Sequence, residues 1–211
     1  MTHKNDHIGT LEINGEGRIE VKPDVAILRL AVVTEGKTAD EAATKNAQKM
    51  SEVVERLTRL EIPRDDLKTT GLNLYPIYYT ESGSDVTTVV GYRIQNSITA
   101  KMPVQLASKA FDLGVAAGAN ESSGVSFELR DEHPYRQQAL DLAIKGARAE
   151  AEAVCHAMGV ALKAPRSIQV IQGGGPVRME SARLTAKAAT PFLPGSLSVA
   201  AEVRVVFEYA G

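Results

Sequence analysis

From Leu197 to Tyr209 the chain alternates almost without fault. Leu197, Val199, Ala201, Val203, Val205, Phe207 and Tyr209 share one parity, and Ser198, Ala200, Glu202, Arg204 and Glu208 share the other. A period of two sends these sets to opposite faces, which predicts a strand with one buried face. Tyr92, Ile94, Ile98, Ala100 and Met102 alternate in the same way with Arg93, Gln95, Ser97, Thr99 and Lys101. That segment reads as an antiparallel strand with one wet face. A preceding strand is expected over Leu67 to Tyr79, with Glu81 to Asp85 (ESGSD) as the hairpin turn. Val125, Phe127 and Leu129 against Ser126, Glu128 and Arg130 predict another strand, and Ser167 to Gln172 a further one. Between Ile19 and Val33 both parities turn apolar past Pro23, as in a strand covered on both faces in its later half. Gly15-Glu16-Gly17 just ahead reads as a bend, and Pro23-Asp24 as a turn.

Three segments switch to a helical period. Thr38 as N-cap and Glu41 three residues on form a capping box, in which each side chain can satisfy an otherwise unpaired backbone N–H. Ala39, Ala42, Ala43, Asn46, Met50, Val53, Val54, Leu57 and Leu60 then mark one face of a helix that ends before Pro63. A shorter helix is predicted from about Val104 to Ala117, with Leu106, Ala107, Ala110, Phe111 and Gly114 inward. Pro134 suits the first turn of a long helix that Gly159 stops after Met158. Its alanines, among them Ala139, Ala143, Ala147, Ala151 and also Ala149, Ala153, Ala157, permit close approach to a sheet.

The element order predicts an α+β fold of mainly antiparallel sheet packed by two long helices and one short helix. Two similar strand-helix-strand-strand units are expected, over about 19–102 and 122–209. Residues 1–8 are expected to form a disordered segment, and 9–211 a single domain carrying this internal structural duplication. The connection from Gly173 to Gly195 is too long for a bare turn, and loops of that length usually carry function.

Bulk properties narrow the classes. The 211 residues are 44% hydrophobic and 24% charged, enough for a sizeable core of ordinary composition. Aromatics make up 5% and tryptophan is absent, so aliphatic and alanine packing must fill the interior. A net charge of -2, with bases interleaved among acids, gives no basic stripe for nucleic acid. No stretch is apolar for long enough to span a bilayer as a helix, so no transmembrane segment is expected. The opening MTHKNDHIGT lacks the apolar run of a signal peptide. A single cysteine, Cys155, rules out an intramolecular disulfide.

Several blocks occur in order along the chain. They are Gly15-Glu16-Gly17 with Pro23-Asp24, Thr38-Ala39-x-Glu41-Ala42, Thr69-Thr70-Gly71-x-x-Leu74-x-Pro76 leading to Tyr78, and Gly91-Tyr92 with Asn96. Gly118-Ala119 to Phe127 and the alanine-rich helix closing at Gly159 complete the set, which covers nearly the whole chain. In this the sequence resembles the SIMPL-domain family, which includes bacterial periplasmic immunogenic and oxidative-stress-defence proteins. The resemblance implies an α+β fold, export to the bacterial envelope and a tendency to self-associate. It carries no set of catalytic residues with it.

Candidate chemistry is sparse. His3 and His7 have helical metal-ligand spacing but sit in a polar terminus without supporting carboxylates. Cys155 and His156 are adjacent, so on a helix they point about 100° apart and cannot act as a nucleophile–base pair. Cys155 among alanines reads as a packing residue, and His133 before Pro134 as a helix-entrance residue. Gly173-Gly174-Gly175 is followed by Pro176, not by the Lys-Ser/Thr of a phosphate loop. Asp65/Asp66 and Asp131/Glu132 fall at element boundaries, where capping is expected. No catalytic, cofactor-binding or metal-binding residue is assigned, and no cofactor is expected. Tyr75, Tyr78, Tyr79 and Tyr92 gather on one predicted hairpin; with Arg178 and Phe192 from the long loop they form the candidate partner or ligand surface.

The reading is a non-enzymatic, self-associating envelope protein acting through assembly or partner binding, with a stress-defence role implied by the resemblance. A homo-oligomer is expected, with the Gly173–Gly195 loop as the contact. Localisation is expected in the periplasm or envelope if a signal peptide has been removed, with the cytoplasm as the alternative. Two competing readings are a small-ligand binder or enzyme with a pocket at the tyrosine hairpin and long loop, and a cytosolic adaptor.

Overall fold

Pro23 has no N–H to give to a ladder, and the β run stops there. In the computed structural model, which describes residues 8–81, 87–171, 191–211 and the backbone of 177–178, two strands flank it: β1 (Ile8–Val21) and β2 (Val25–Gly36). The single strand expected over Ile19–Val33 is thus two, and they enter different sheets. The elements that follow are α1 (Ala39–Thr58), β3 (Leu67–Thr80), β4 (Thr87–Pro103), α2 (Ala107–Ala116) and β5 (Glu121–Glu128). Then come α3 (His133–Met158), β6 (Ala161–Ile171), the two-residue β7 (Val177–Arg178) and β8 (Leu197–Ala210). The fold is α+β, with antiparallel pairing in both sheets.

The chain divides into two compact units. One gathers residues 1–22, 130–180 and 195–211, and the other 23–129 and 181–194. In the first, the sheet order is β1-β8-β6, with β7 also on β8. In the second it is β3-β4-β2-β5. Each unit contains a strand, a long helix and two more strands, and each places the last strand of that set between the other two: β1-β8-β6 around α3, and β2-β4-β3 around α1. The second set lies within the first along the chain, between β1 and α3. β5, the strand at about 122 with which the expected second repeat begins, pairs with β2.

The Gly15–Gly17 segment, expected as a bend, lies inside β1, where Gly15 pairs with Val203 and Gly17 with Ala201. Packing explains it. A Cβ on Gly15 would collide with the Ala143 carbonyl oxygen, and one on Gly17 with the Ala139 carbonyl oxygen. The two glycines form a flat floor on which α3 lies backbone-close. The helix meets that floor with a stripe spaced by four, Ala139, Ala143, Ala147, Ala151 and Cys155, all buried. Ala149, Ala153 and Ala157 are exposed. Ile13, Val203, Val205 and Phe207 complete this core. Gly159 ends the helix with φ +70°, in the left-handed region that glycine adopts without a Cβ penalty.

In the other unit, α1 lies on β2 and β4. Met50, Val53 and Leu57 meet Leu28, Leu30 and Val32 of β2 and Ile98, Ala100 and Met102 of β4, with Ala107 and Ala110 of α2 closing the cluster. Buried Asn46 donates from Nδ2 to the carbonyls of Val32 at 2.8 Å and Ile94 at 3.4 Å, tying the helix to both strands. The cap differs in one detail from the expected box. Glu41 N–H donates to Thr38 Oγ1 at 3.2 Å, whereas Glu41 Oε2 accepts from the Lys37 N–H at 3.0 Å, one residue before the cap. Ala43, expected inward, is exposed.

Gly17→Ala forces a methyl into the α3 backbone and should lower stability by about 1–3 kcal/mol. Gly146→Ala, on the exposed side of the same helix with nothing nearer than the Glu16 carbonyl at 4.0 Å, should raise it by about 1 kcal/mol. Urea unfolding followed by circular dichroism measures both.

Candidate functional site

The β3–β4 hairpin carries the tyrosines, and its register sorts them. Leu74 pairs with Ile94, Leu72 with Asn96 and Pro76 with Tyr92. Ile94 is buried on the side that α1 covers, so alternation places Leu72, Leu74, Pro76 and Tyr92 on this helix-side face. Asn73, Tyr75 and Ile77 point to the other face with their partners Gln95, Arg93 and Gly91. Past a register shift between Ile77 and Tyr78, Tyr78 pairs with Val89 and Tyr79 with Thr88. Continued alternation along β3 puts Tyr78 with the leucines and Tyr79 with Tyr75. The four tyrosines therefore share a hairpin and are divided between its two faces. The expected ESGSD turn lies largely outside the described residues.

Among the described residues no element covers β3. Leu72 is 67% exposed, Tyr78 62%, and Leu74 and Tyr75 50% each, while Tyr79, Val89 and Val90 are also exposed. Large apolar side chains standing side by side in solvent are the kind of patch that marks an interaction surface. Sequence reading found the tyrosines and missed Leu72, Leu74, Val89 and Val90. The available signal was the absence of any charge from Thr69 to Thr80.

The remaining candidates fall in one or the other unit or lie outside the described residues. Phe192 is half-buried and meets Phe111 of α2 edge-on, with centroids 5.8 Å apart at 89°, so its ring serves the core of its own unit. Arg178 belongs to the other unit, where its backbone pairs with Leu197; its side chain, like residues 172–176 and 179–190 of the long loop, lies outside the described residues. His3 and His7 lie outside them too. His133 opens α3: its N–H donates to Asp131 Oδ1 at 2.9 Å, and its ring Nε2 lies 3.0 Å from Gln137 Nε2. Cys155 is 2% exposed. Among the described residues no three His, Cys, Asp or Glu side chains converge as metal ligands would.

Three further features stand outside the hairpin surface proper: a groove, a carboxylate and a buried amide oxygen. A groove of about 460 Å³ is lined by Met50, Ser51, Val54, Glu55, Thr58 and Arg64. Two of its polar side chains already have partners: Glu55 is held by Arg59, and the Thr58 hydroxyl donates to the Val54 carbonyl. Glu41 has its pKa lowered, chiefly by the hydrogen bond from Lys45 Nζ at 2.7 Å and then by the Lys37 N–H. A depressed carboxylate pKa stabilises the folded state above its unfolded value and loses that contribution as pH falls through the folded one. It is a cap, and at the helix surface it has no bound proton to trade near neutrality. Asn96 Oδ1 is buried without a partner.

Residues 11–207 match the model of SIMPL, a family of proteins of unknown function (DUF541). The chain belongs to the SIMPL family. A 26 kDa periplasmic immunogenic protein of Brucella melitensis is 31% identical over 94% of this chain and 84% of its own length. The protein of the same name in Brucella abortus is 30% identical over the same shares. The uncharacterized protein YggE of Escherichia coli is 23% identical over 66% of this chain and 56% of its own. This SIMPL chain is therefore similar over most of its length to proteins named as periplasmic. Among the described residues no helix is long and apolar enough to cross a membrane.

The thiol gives a direct check on the packing. Cys155 should react with a thiol-specific chromogenic reagent at least 100-fold more slowly in buffer than in 6 M guanidinium, because attack needs an exposed thiolate. Equal rates would contradict the burial of the α3 stripe.

Proposed function

We propose that this SIMPL protein is a non-enzymatic, self-associating protein of the bacterial envelope that works through assembly or partner binding. The observation that carries the reading is β3, a long strand bearing Leu72, Leu74, Tyr75, Tyr78 and Tyr79 in solvent, with Val89 and Val90 exposed on the strand beside it. Leaving that surface wet forgoes roughly 25 cal/mol for every Å² of apolar area that a partner would remove from water. The periplasmic names of the Brucella relatives support placement in the envelope. A stress-defence role is what the family resemblance implies.

The contact is assigned to the hairpin. The Gly173–Gly195 loop, the contact expected from sequence, lies mainly outside the described residues. The tyrosines that were to line a pocket are divided between two faces, and in the groove on α1 the Glu55 and Thr58 side chains are already bonded within the helix. Neither observation favours a ligand-binding or enzymatic reading.

Light scattering coupled to gel filtration tests the proposal. The wild-type chain should run at a multiple of its monomer mass, and Leu72→Lys/Leu74→Lys, which places two charges on the exposed patch, should shift it towards monomer with an unchanged circular dichroism spectrum. A wild-type chain that is monomeric at every concentration overturns self-association.

A further inference from the structure

Among the described residues the longer strands with one unpaired side are β1, β6, β3 and β5, and β1, β5 and β6 carry features that discourage edge pairing. β1 has Glu12, Glu16 and Glu20, which would face their own copies across a pairing of like strands. β5 is short, is bounded by Glu121 and Glu128, and is interrupted by a register shift and by Gly124 at φ +91°. β6 has Pro165 flanked by Lys163 and Arg166, with register shifts on both sides of the proline. β3 alone runs from Thr69 to Thr80 without a charge.

Pro76 sets the direction of that edge. A proline within a sheet sits where its nitrogen faces away from the ladder, here away from β4. From Gly71 to Ile77 the register is unbroken, so Leu72 and Leu74, of the same parity as Pro76, also turn their N–H and C=O outward. Two adjacent outward residues are what a second strand needs.

Gly71 supplies an independent observation. Its φ is not in the left-handed region, and a Cβ there would make only ordinary contacts, at 3.7 Å from Asn73 Nδ2 and 3.9 Å from Ser97 Cβ. Among the described residues nothing would obstruct a side chain there. Tyr75 stands on the same face, half exposed and four residues along the strand.

We propose that two copies of this chain join by antiparallel pairing of β3 with β3 about a two-fold axis at Asn73, an inference that rests on the self-association reading. Leu72 of one copy then exchanges both backbone hydrogen bonds with Leu74 of the second, and the reverse. The four leucines meet on the helix-side face and cover one another. On the opposite face Asn73 meets its symmetry mate, amide to amide, and each Tyr75 ring lies across Gly71 of the other copy, where a side chain would obstruct it. The uncharged edge allows a strand to meet itself without like-charge repulsion. Lys68, the only charge on β3, falls opposite Tyr78 in this register.

A symmetric disulfide tests the register. Asn73 becomes a non-hydrogen-bonded pair with its mate, with Cα atoms about 4.5 Å apart, inside the range of about 4.4–6.8 Å that a disulfide spans. Asn73→Cys in a Cys155→Ala background, oxidised with diamide, should give at least tenfold more covalent dimer than Gln169→Cys on β6 in the same background. Asn73 is exposed, so the fold should tolerate the change. A mixture of Leu72→Cys and Leu74→Cys chains should also cross-link, and Leu72→Cys alone should not. If the wild-type mass exceeds that of a monomer while Cys-for-Asn73 chains link no better than the β6 control, the β3 pairing is wrong and self-association stands. If the wild type is monomeric and nothing links, both are wrong and the surface serves a different partner.

Discussion

A single α-helix cannot cover three strands. With side chains it is about 10–12 Å across, and neighbouring strands lie about 4.8 Å apart, so one helix shelters roughly two. Both units of this protein meet that limit. α3 lies over β1 and β8, and α1 over β2 and β4, and in each case most of the third strand of the set is left uncovered, although Leu162 of β6 and Leu67 of β3 reach the edges of these cores. Ile168 and Val170 of β6 stand about half exposed, as do Leu72 and Leu74 of β3. Small residues tighten the limit in the first unit. The Ala139–Cys155 stripe on the Gly15–Gly17 floor draws α3 close to the sheet, which favours intimate packing over breadth.

The two largely uncovered strands are treated differently by the sequence around them. β6 carries Lys163, Pro165 and Arg166, which discourage another strand from docking. β3 has an uncharged run and, on the face of solvent-exposed Tyr75, a glycine that nothing among the described residues crowds. The same geometric shortfall is thus blunted in one unit and left open in the other. Assembly through β3 follows from the helix being too narrow and from the edge being unguarded, and it needs no catalytic group anywhere in the molecule.

Much of this fold was legible in the sequence. Period-two alternation located β4 and β8, and a capping residue and a terminal glycine bounded α1 and α3 to within about two residues. The Gly15–Gly17 segment was misread because glycine pairs signal both bends and close approach; only the position of Ala139 and Ala143 decides between them. Pro23 was recognised as a turn, yet the two strands it separates were merged, since nothing local shows that they enter different sheets. The tyrosines were found as a group but not sorted by face, although Tyr78 and Tyr79 are neighbours on one strand and period-two alternation alone sends them to opposite sides. The exposure of Leu72 and Leu74 was invisible. An apolar residue on a strand reads as buried until the width of the helix above it is known.

Hydrogen exchange at the backbone amides of Leu72 and Leu74 tests the central claim most directly, because those N–H groups face the open edge and have no partner within their own chain in this account. In the wild-type protein at concentrations where its mass exceeds that of a monomer, both amides should be protected, and dilution to monomer should release them while β4 amides stay slow. Rapid exchange at Leu72 and Leu74 in the assembled protein would contradict the account.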